Sequence, residues 1–208
     1  MDNLTKILSV SVELFRQYGF KAITTDDIAR RAGISKKTLY QHFANKQEIV
    51  NESVLWFKHQ MTDPCNEMVR DSENAVEAMV KTLAYMDTMY KQINPMAMFE
   101  MQRFFPEAYE TFRNQLQDKD MGIIRENIEQ GIAEGLYRED VHAELMARYR
   151  LESSLMILQP NLIVSNRNEL LSVSWEIGEH FMYGIMTAKG VKQYLKYKAK
   201  YFIQPATV

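Results

Sequence analysis

Apolar residues recur along almost the whole chain at the spacing of three to four residues that is typical of amphipathic helices. Residues 3 to 18 set this pattern, and their stripe stops at Gly19. The stripe consists of Leu4, Ile7, Leu8, Ser11, Leu14, Phe15 and Tyr18. Because no alternation with a period of two runs for any length, the pattern predicts an all-α protein.

Two short helices joined by a glycine turn are predicted after the first helix. Thr24 is a helix cap and Asp27 follows it at the capping-box position, which predicts a helix over residues 25–32. Gly33 supplies the left-handed backbone of a sharp turn, and Ser35 caps the next helix. This arrangement is typical of the helix-turn-helix, whose second helix enters the major groove of DNA.

The second short helix has a polar outer face. Leu39 and Phe43 point to the core, whereas the remaining side chains are donors suited to phosphates and base edges. Asn45 and Glu48 form a capping pair for a further helix. The residues predicted to contact DNA are Thr25, Ser35, Lys36, Lys37, Thr38, Tyr40, Gln41, His42 and Lys46. The alternative is a helical hairpin whose polar face is only solvated, with His42 at the border of the core.

Helical periodicity continues through the larger, C-terminal part of the chain. A helix that starts at Gln47 is predicted to run until Pro64, which would join head and body. Gly122 and Gly131 predict a kink or a close helix contact, and Asp140 is the predicted cap of a later helix. The other predicted helices span residues 74–92, 96–105, 108–134, 141–158, 169–187 and 191–203, with a loop at 161–168.

Composition places few limits on size but several on chemistry. The 208 residues are 46% apolar, enough for a sizeable core. The net charge of −2 divides unevenly, since residues 1–50 hold eight bases against five acids and the remainder carries 17 against 22. A mildly basic head on an acidic body suits a protein that touches phosphate at one end only.

Candidate catalytic and metal-binding motifs are missing from the sequence. The four histidines are isolated, and no glycine-rich nucleotide loop or nucleophile elbow occurs, so we predict no metal, no cofactor and no enzymatic activity. Cys65 is the only cysteine, which favours a reducing compartment. No secretory signal and no long apolar run occurs. We therefore predict a cytoplasmic protein that does not enter a membrane.

The first 50 residues resemble the signature of the TetR family of bacterial transcriptional regulators. The resemblance is carried by Leu14-Phe15, Gly19-Phe20, Thr24-Thr25, Asp27-Ile28-Ala29, Ala32-Gly33-Ile34-Ser35, Thr38-Leu39-Tyr40, Phe43 and Lys46. Lys37 departs from the family pattern, where a small residue or proline is common. The resemblance implies a DNA-binding head at 1–46 and a helical body at 47–208 that binds a ligand and forms a homodimer.

The body is rich in methionine and aromatic residues, and the chain has 14 methionines in all. Such residues line pockets for varied apolar ligands, but at helical spacing they are also ordinary core. Arg103 is a candidate for a ligand's polar end, while Glu100 is expected to be solvated. The predicted pocket residues are Phe57, Met61, Met86, Met89, Tyr90, Phe99, Arg103, Phe104, Tyr109, Phe112, Met121, Tyr149 and Met156.

The last two long helices are apolar on more than one side. By resemblance to the family they pair with their copies in a dimer, with interface residues Leu145, Leu155, Leu170, Val173, Ile177, Phe181, Gly184 and Ile185. Gly178 and Gly184 permit close approach there, or they relieve crowding within one subunit.

The leading hypothesis is a dimeric repressor that binds a palindromic operator and is released by a small apolar or amphipathic ligand. The alternative is a helical small-molecule sensor or carrier whose head binds a protein partner.

Overall fold

The computed structural model describes residues 2–157 and 167–202. These ranges form eleven α-helices and one π turn, with no strand among them, which confirms the all-α prediction. The helices are α1 (Asn3–Tyr18), α2 (Thr25–Ala32), α3 (Lys36–His42), α4 (Lys46–Arg70), α5 (Ala75–Tyr90), α6 (Ala97–Phe104), α7 (Pro106–Gln115), α8 (Met121–Ala133), α9 (Ala143–Met156), α10 (Arg167–Ile185) and α11 (Ala188–Tyr201). The π turn, Leu116–Asp120, lies between α7 and α8.

The caps predicted for the N-terminal helices are all present. The Thr24 hydroxyl accepts from the Asp27 N–H at 3.2 Å, and the Asp27 carboxylate accepts from the Thr24 N–H at 3.0 Å. Gly33 has φ 63° and ψ 35°, the left-handed conformation that the turn requires. The Ser35 hydroxyl accepts from Thr38 N–H, and Asn45 accepts from Glu48 N–H. The helix-turn-helix therefore forms by local chemistry.

Helix α4 is longer than its predicted extent. It continues through Pro64 to Arg70, because a proline removes one helical hydrogen bond and packing against α1, α5 and α7 compensates for that loss. The single helix predicted over 108–134 is instead interrupted by the π turn. Gly122 has no neighbour where a Cβ would stand, whereas a Cβ on Gly131 would lie 2.1 Å from the Tyr137 ring.

The predictions for α9 need two corrections. Its cap is His142, whose Nδ1 accepts from the Leu145 N–H at 3.2 Å, and not Asp140. Its inner face was expected to carry Leu145, Tyr149, Leu155 and Met156, but only Leu155 is buried, whereas the other three are about half exposed. The buried residues of this helix are Ala147, Leu151, Ser153 and Leu155. Most of the predicted loop at 161–168, the predicted helix end at 158 and the predicted tail end at 203 lie outside the described residues.

Head and body share one hydrophobic core. Phe15, Phe20 and Phe43 of the head belong to the same buried cluster as Met101 and Phe105 of the body. A second cluster joins α5, α8, α10 and α11. Within the described ranges, none of the helices combines the length and the apolarity needed to cross a membrane.

Candidate functional site

The outer face of α3 carries polar side chains that are open to solvent. Lys37 and Gln41 are exposed, and neither has a hydrogen bond or ion pair with another residue of the described ranges. Leu39 is fully buried on the opposite side and anchors the helix in the head. The helix thus offers a free ammonium group and a free amide at its surface.

Two contacts join α2 to the flanks of α3. The Lys36 ammonium lies 2.8 Å from the Asp26 carboxylate, and this hydrogen bond raises the pKa of Lys36. The hydroxyls of Tyr40 and Thr25 are 3.2 Å apart, while the Tyr40 ring remains about half exposed. These contacts hold the two helices of the motif together and leave polar groups at the surface.

Lys46 occupies a different place from the other predicted DNA contacts. Its ammonium group donates to the Phe20 carbonyl at 2.6 Å and lies 5.4 Å from the centroid of the Phe105 ring. Burial lowers the pKa of Lys46. The ammonium therefore lies in the seam between head and body rather than on the face of α3. His42 is exposed, and it does not border the core.

Further polar contacts cross the same seam. The Glu100 carboxylate, expected to be solvated, accepts instead from the Lys21 N–H at 2.9 Å, because α6 packs under the loop that follows α1. The Asn94 N–H donates to the Arg16 carbonyl at 2.6 Å. The Arg16 guanidinium donates to the Met89 carbonyl at 3.2 Å and lies over the Phe57 ring. Head and body are thus joined by backbone and side-chain hydrogen bonds.

The body contains a largely apolar cavity of about 220 Å³. Its wall is built from α1, α4, α5, α6, α7, the π turn, α8 and α9. Six of the 14 methionines line it, which favours the pocket interpretation of the methionine-rich segments. These six are Met61, Met79, Met86, Met89, Met98 and Met101.

About half of the predicted pocket residues reach the cavity. The ones that line it are Phe57, Met61, Met86, Met89, Tyr90 and Phe112. The ones that do not are Phe99, Arg103, Phe104, Tyr109, Met121, Tyr149 and Met156. Arg103 and Phe104 are exposed on the outer side of α6, and Tyr149 and Met156 are exposed on α9.

Sequence reasoning missed the charged groups in the cavity wall. Lys58 and Asp120 form a partly buried pair, with the ammonium 2.6 Å from both carboxylate oxygens. Arg150 lies in the wall, 5.9 Å from the centroid of the Phe181 ring. Burial lowers the pKa of Arg150 and raises the pKa of Tyr90 to about 12. Helical register could have indicated that Arg150 faces inward, because it lies three residues after Ala147, on the same side of the helix.

A more open groove of about 500 Å³ adjoins this cavity. It lies among α1, α4 and α5, and both spaces share Arg16, Phe57, Met61 and Met89 in their walls. A side chain of the head, Arg16, therefore stands between the cavity and the groove.

Several residues predicted at a dimer interface face the core of their own chain. Leu155, Leu170, Phe181 and Ile185 are buried in the single chain, so they are not available to a second copy. Val173 and Ile177 are partly buried, whereas Leu145 and Gly184 are exposed. A Cβ on Gly178 would lie 3.0 Å from Leu83, which supports the role of relieving crowding within one subunit.

Comparison with known proteins agrees with this architecture. The family described as bacterial regulatory proteins, tetR family, matches residues 7–53. The transcriptional repressor KstR2 of Rhodococcus jostii is 28% identical over 150 residues, which cover 70% of this chain and 72% of that protein. The regulator YhgD of Bacillus subtilis is 27% identical over 139 residues, covering 65% and 72% of the two chains.

Solved structures share the fold. A transcriptional regulator from Cytophaga hutchinsonii superposes with a TM-score of 0.70 at 17% identity, covering 88% of this chain and 98% of that chain. FadR from Bacillus subtilis, solved in complex with stearoyl-CoA, superposes with a TM-score of 0.65 at 17% identity, covering 88% and 99%.

A three-helix head with a helix-turn-helix, joined to a helical body, defines a DNA-binding transcriptional regulator. Its head, residues 7–53, matches the TetR family of these regulators, and the chain is similar over about 70% of its length to the transcriptional repressor KstR2.

Proposed function

We propose that this protein is a transcriptional repressor that binds a palindromic operator as a homodimer and is released by a small ligand held in the body cavity. The observation that carries the proposal is the face of α3, where Lys37 and Gln41 are exposed and have no partner among the described residues. Lysine and glutamine are side chains that read guanine and adenine in the major groove. Lys36, Thr25 and Tyr40 would hold the phosphates on either side, with Thr38 beside the bases and Ser35 and His42 at the helix ends.

A second copy would cover the exposed apolar residues of α9 and α10. Leu145, Tyr149 and Met156 are about half exposed on α9, and Tyr183 is 48% exposed on α10. Gly184 beside it has open space where a Cβ would stand, so another helix could approach closely. A twofold dimer through this face would present two heads to two half-sites.

The cavity wall supports a direct route from ligand to head. Phe15, Arg16 and Phe20 of the head line the cavity together with α4. A ligand that fits only when Arg16 or α4 shifts would favour a conformation with a different separation of the two heads. KstR2 is described as a repressor, and FadR was solved with stearoyl-CoA, which supports a repressor controlled by a ligand.

The proposal is tested by capture of DNA and then by affinity. The purified chain is incubated with fragmented genomic DNA, and the retained fragments are sequenced; we expect an enriched palindrome. Fluorescence anisotropy then measures the affinity for that site in wild type, in Lys37→Ala and in the control Lys192→Ala. Lys192 is exposed on α11, so its loss removes an equal charge from the body.

We expect Lys37→Ala to weaken specific binding by about 1–3 kcal/mol and to relax the preference at one position. Lys192→Ala is expected to bind as wild type does. Retention of random fragments with no enriched palindrome would contradict the proposed function and would favour a head that binds a protein partner.

A further inference from the structure

Arg150 lines the cavity, and its guanidinium group has no acidic partner in the described part of the chain. Within residues 2–157 and 167–202, it has no hydrogen bond and no ion pair, and its contacts are the ring of Phe181 and the neighbourhood of Tyr90. Arg150 is partly buried, and a cation that is even partly removed from water without a counter-ion is costly, so proteins ordinarily pair such a group. Arg150 therefore requires an explanation that the fold does not supply.

The acid in the cavity wall and the acid closest to Arg150 along α9 already have partners. Asp120 in the cavity wall holds Lys58 with both of its oxygens. Glu152, two residues from Arg150, holds Arg113 in a bidentate pair at 3.0 Å. The second arginine of the wall, Arg16, donates to the Met89 carbonyl and has no acidic partner among the described residues. The cavity thus has an excess of positive charge within an apolar lining.

The rest of the cavity wall indicates the chemistry of the uncharged part of a ligand that would pair with Arg150. Methionine and phenylalanine side chains cover most of it, and they accommodate flexible apolar groups. The cavity volume is about 220 Å³. One water occupies ~30 Å³ in the liquid, so the cavity has room for roughly seven groups of that size. A ligand with a short apolar body and one charged end would fill this space.

We propose that the effector is a small organic carboxylate whose anionic end pairs with Arg150 and whose apolar body lies among the methionines of the cavity. The inference rests on the proposed function, because it names the class of ligand for the same cavity. A guanidinium binds a carboxylate through two parallel hydrogen bonds, which gives direction as well as affinity. A neutral apolar ligand would leave Arg150 unpaired, and a cationic ligand would be repelled.

The test compares straight-chain saturated carboxylates with alcohols of the same length, from about six to twelve carbons, a range that brackets the cavity volume. Isothermal titration calorimetry of the full chain measures each dissociation constant. Hydrogen bonds to charged groups predict that the best carboxylate binds about 10- to 150-fold more tightly than its matched alcohol. Arg150→Met should remove this preference, and Arg150→Lys should keep part of it.

Arg148→Met is the matched control, because Arg148 is exposed on the same helix and its loss removes the same charge. It should bind the carboxylate as wild type does. If Arg150→Met does not fold, as judged by circular dichroism, the comparison of acid with alcohol in wild type and Arg150→Lys still decides the question. Absence of carboxylate binding, equal binding of the alcohols, or a preference that survives in Arg150→Met overturns the inference.

Release of operator DNA separates this inference from the proposed function. Carboxylates that bind through Arg150 without altering DNA affinity would support the carboxylate site and contradict release of the repressor by a ligand in this cavity. Alcohols that release DNA while carboxylates do not would contradict the ligand assignment and leave the repressor in place.

Discussion

The ammonium group of Lys46 donates a hydrogen bond to the carbonyl of Phe20, and this contact joins the start of α4 to the loop that follows α1. The same ammonium lies against the Phe105 ring of the body. One lysine thus links α4, the helix that follows the helix-turn-helix, with the loop that precedes it.

Lys46→Met should therefore destabilise the fold more than it weakens contact with DNA. The partly buried Phe20 carbonyl loses its donor, so the free energy of unfolding should fall by about 1–3 kcal/mol in urea denaturation. The salt dependence of operator affinity should match wild type. Lys36→Met, at a residue proposed to hold a phosphate, should do the opposite, with nearly unchanged stability and a salt slope reduced by about one. A reduced slope in Lys46→Met would show that its ammonium reaches a phosphate in the complex.

Lys58 and Asp120 should behave as a unit. Lys58→Met leaves a partly buried carboxylate without its cation, and we expect a loss of about 3–5 kcal/mol in the free energy of unfolding. Removing both charges in Lys58→Met/Asp120→Leu should recover most of that loss, because the desolvation cost disappears with the pair. Chemical denaturation of wild type, Lys58→Met, Asp120→Leu and the double variant measures the coupling. Additive losses in the double variant would contradict it.

Glu77 should make the free energy of unfolding depend on pH. Burial alone would raise the pKa of Glu77, but hydrogen bonds from the Glu73 N–H and the Tyr201 hydroxyl, together with Lys81 and Lys200, outweigh it and lower the pKa. The carboxylate therefore stabilises the fold above its unfolded pKa of about 4.3, and this contribution is lost as the pH falls through the lower folded value.

The comparison with Glu77→Gln isolates this contribution. Urea unfolding between pH 7 and pH 3 should give a wild-type advantage of about 1–3 kcal/mol near neutrality that shrinks below about pH 4.3. Other acids, such as Asp27, titrate equally in both proteins. An advantage that stays constant down to pH 3 would disprove the assigned role.

The proposed dimer depends on the exposed face of α9. Leu145→Glu places a charge where a second copy would pack, so sedimentation velocity should show a monomer with weakened operator binding. Leu195→Glu is the control, because Leu195 on α11 is almost equally exposed, at 52% against 55%. If wild type is itself a monomer at micromolar concentration, or if both variants dissociate alike, this face is not the interface.

Local chemistry made the head predictable from its sequence. Thr24, Ser35 and Asn45 each form the cap that their side chains and spacing indicate, and Gly33 adopts the left-handed turn. Each of these features depends on neighbours within a few residues. The same was not true of Pro64, where packing along α4 overrides a local preference.

The cavity was predictable only in part because it depends on how distant helices meet. In α9 both sides carry apolar residues, so periodicity alone could not decide whether Tyr149 or Leu151 faces inward. For the same reason, the sequence does not distinguish Arg150 from an ordinary solvated charge. The environment of the Arg150 side chain depends on the packing of Tyr90 and Phe181 beside it, and these residues are 60 and 31 positions away along the chain.

Arg16 stands between the cavity and the groove, so a ligand that acts as proposed would be coupled to the operator through one side chain. If the ligand lowers operator affinity by a certain factor, thermodynamic reciprocity requires that the bound operator lower ligand affinity by the same factor. The protein on its operator would then respond at a higher ligand concentration than the free protein. The ligand concentration needed for release would thus depend on how many operator sites are occupied as well as on the affinity of the cavity.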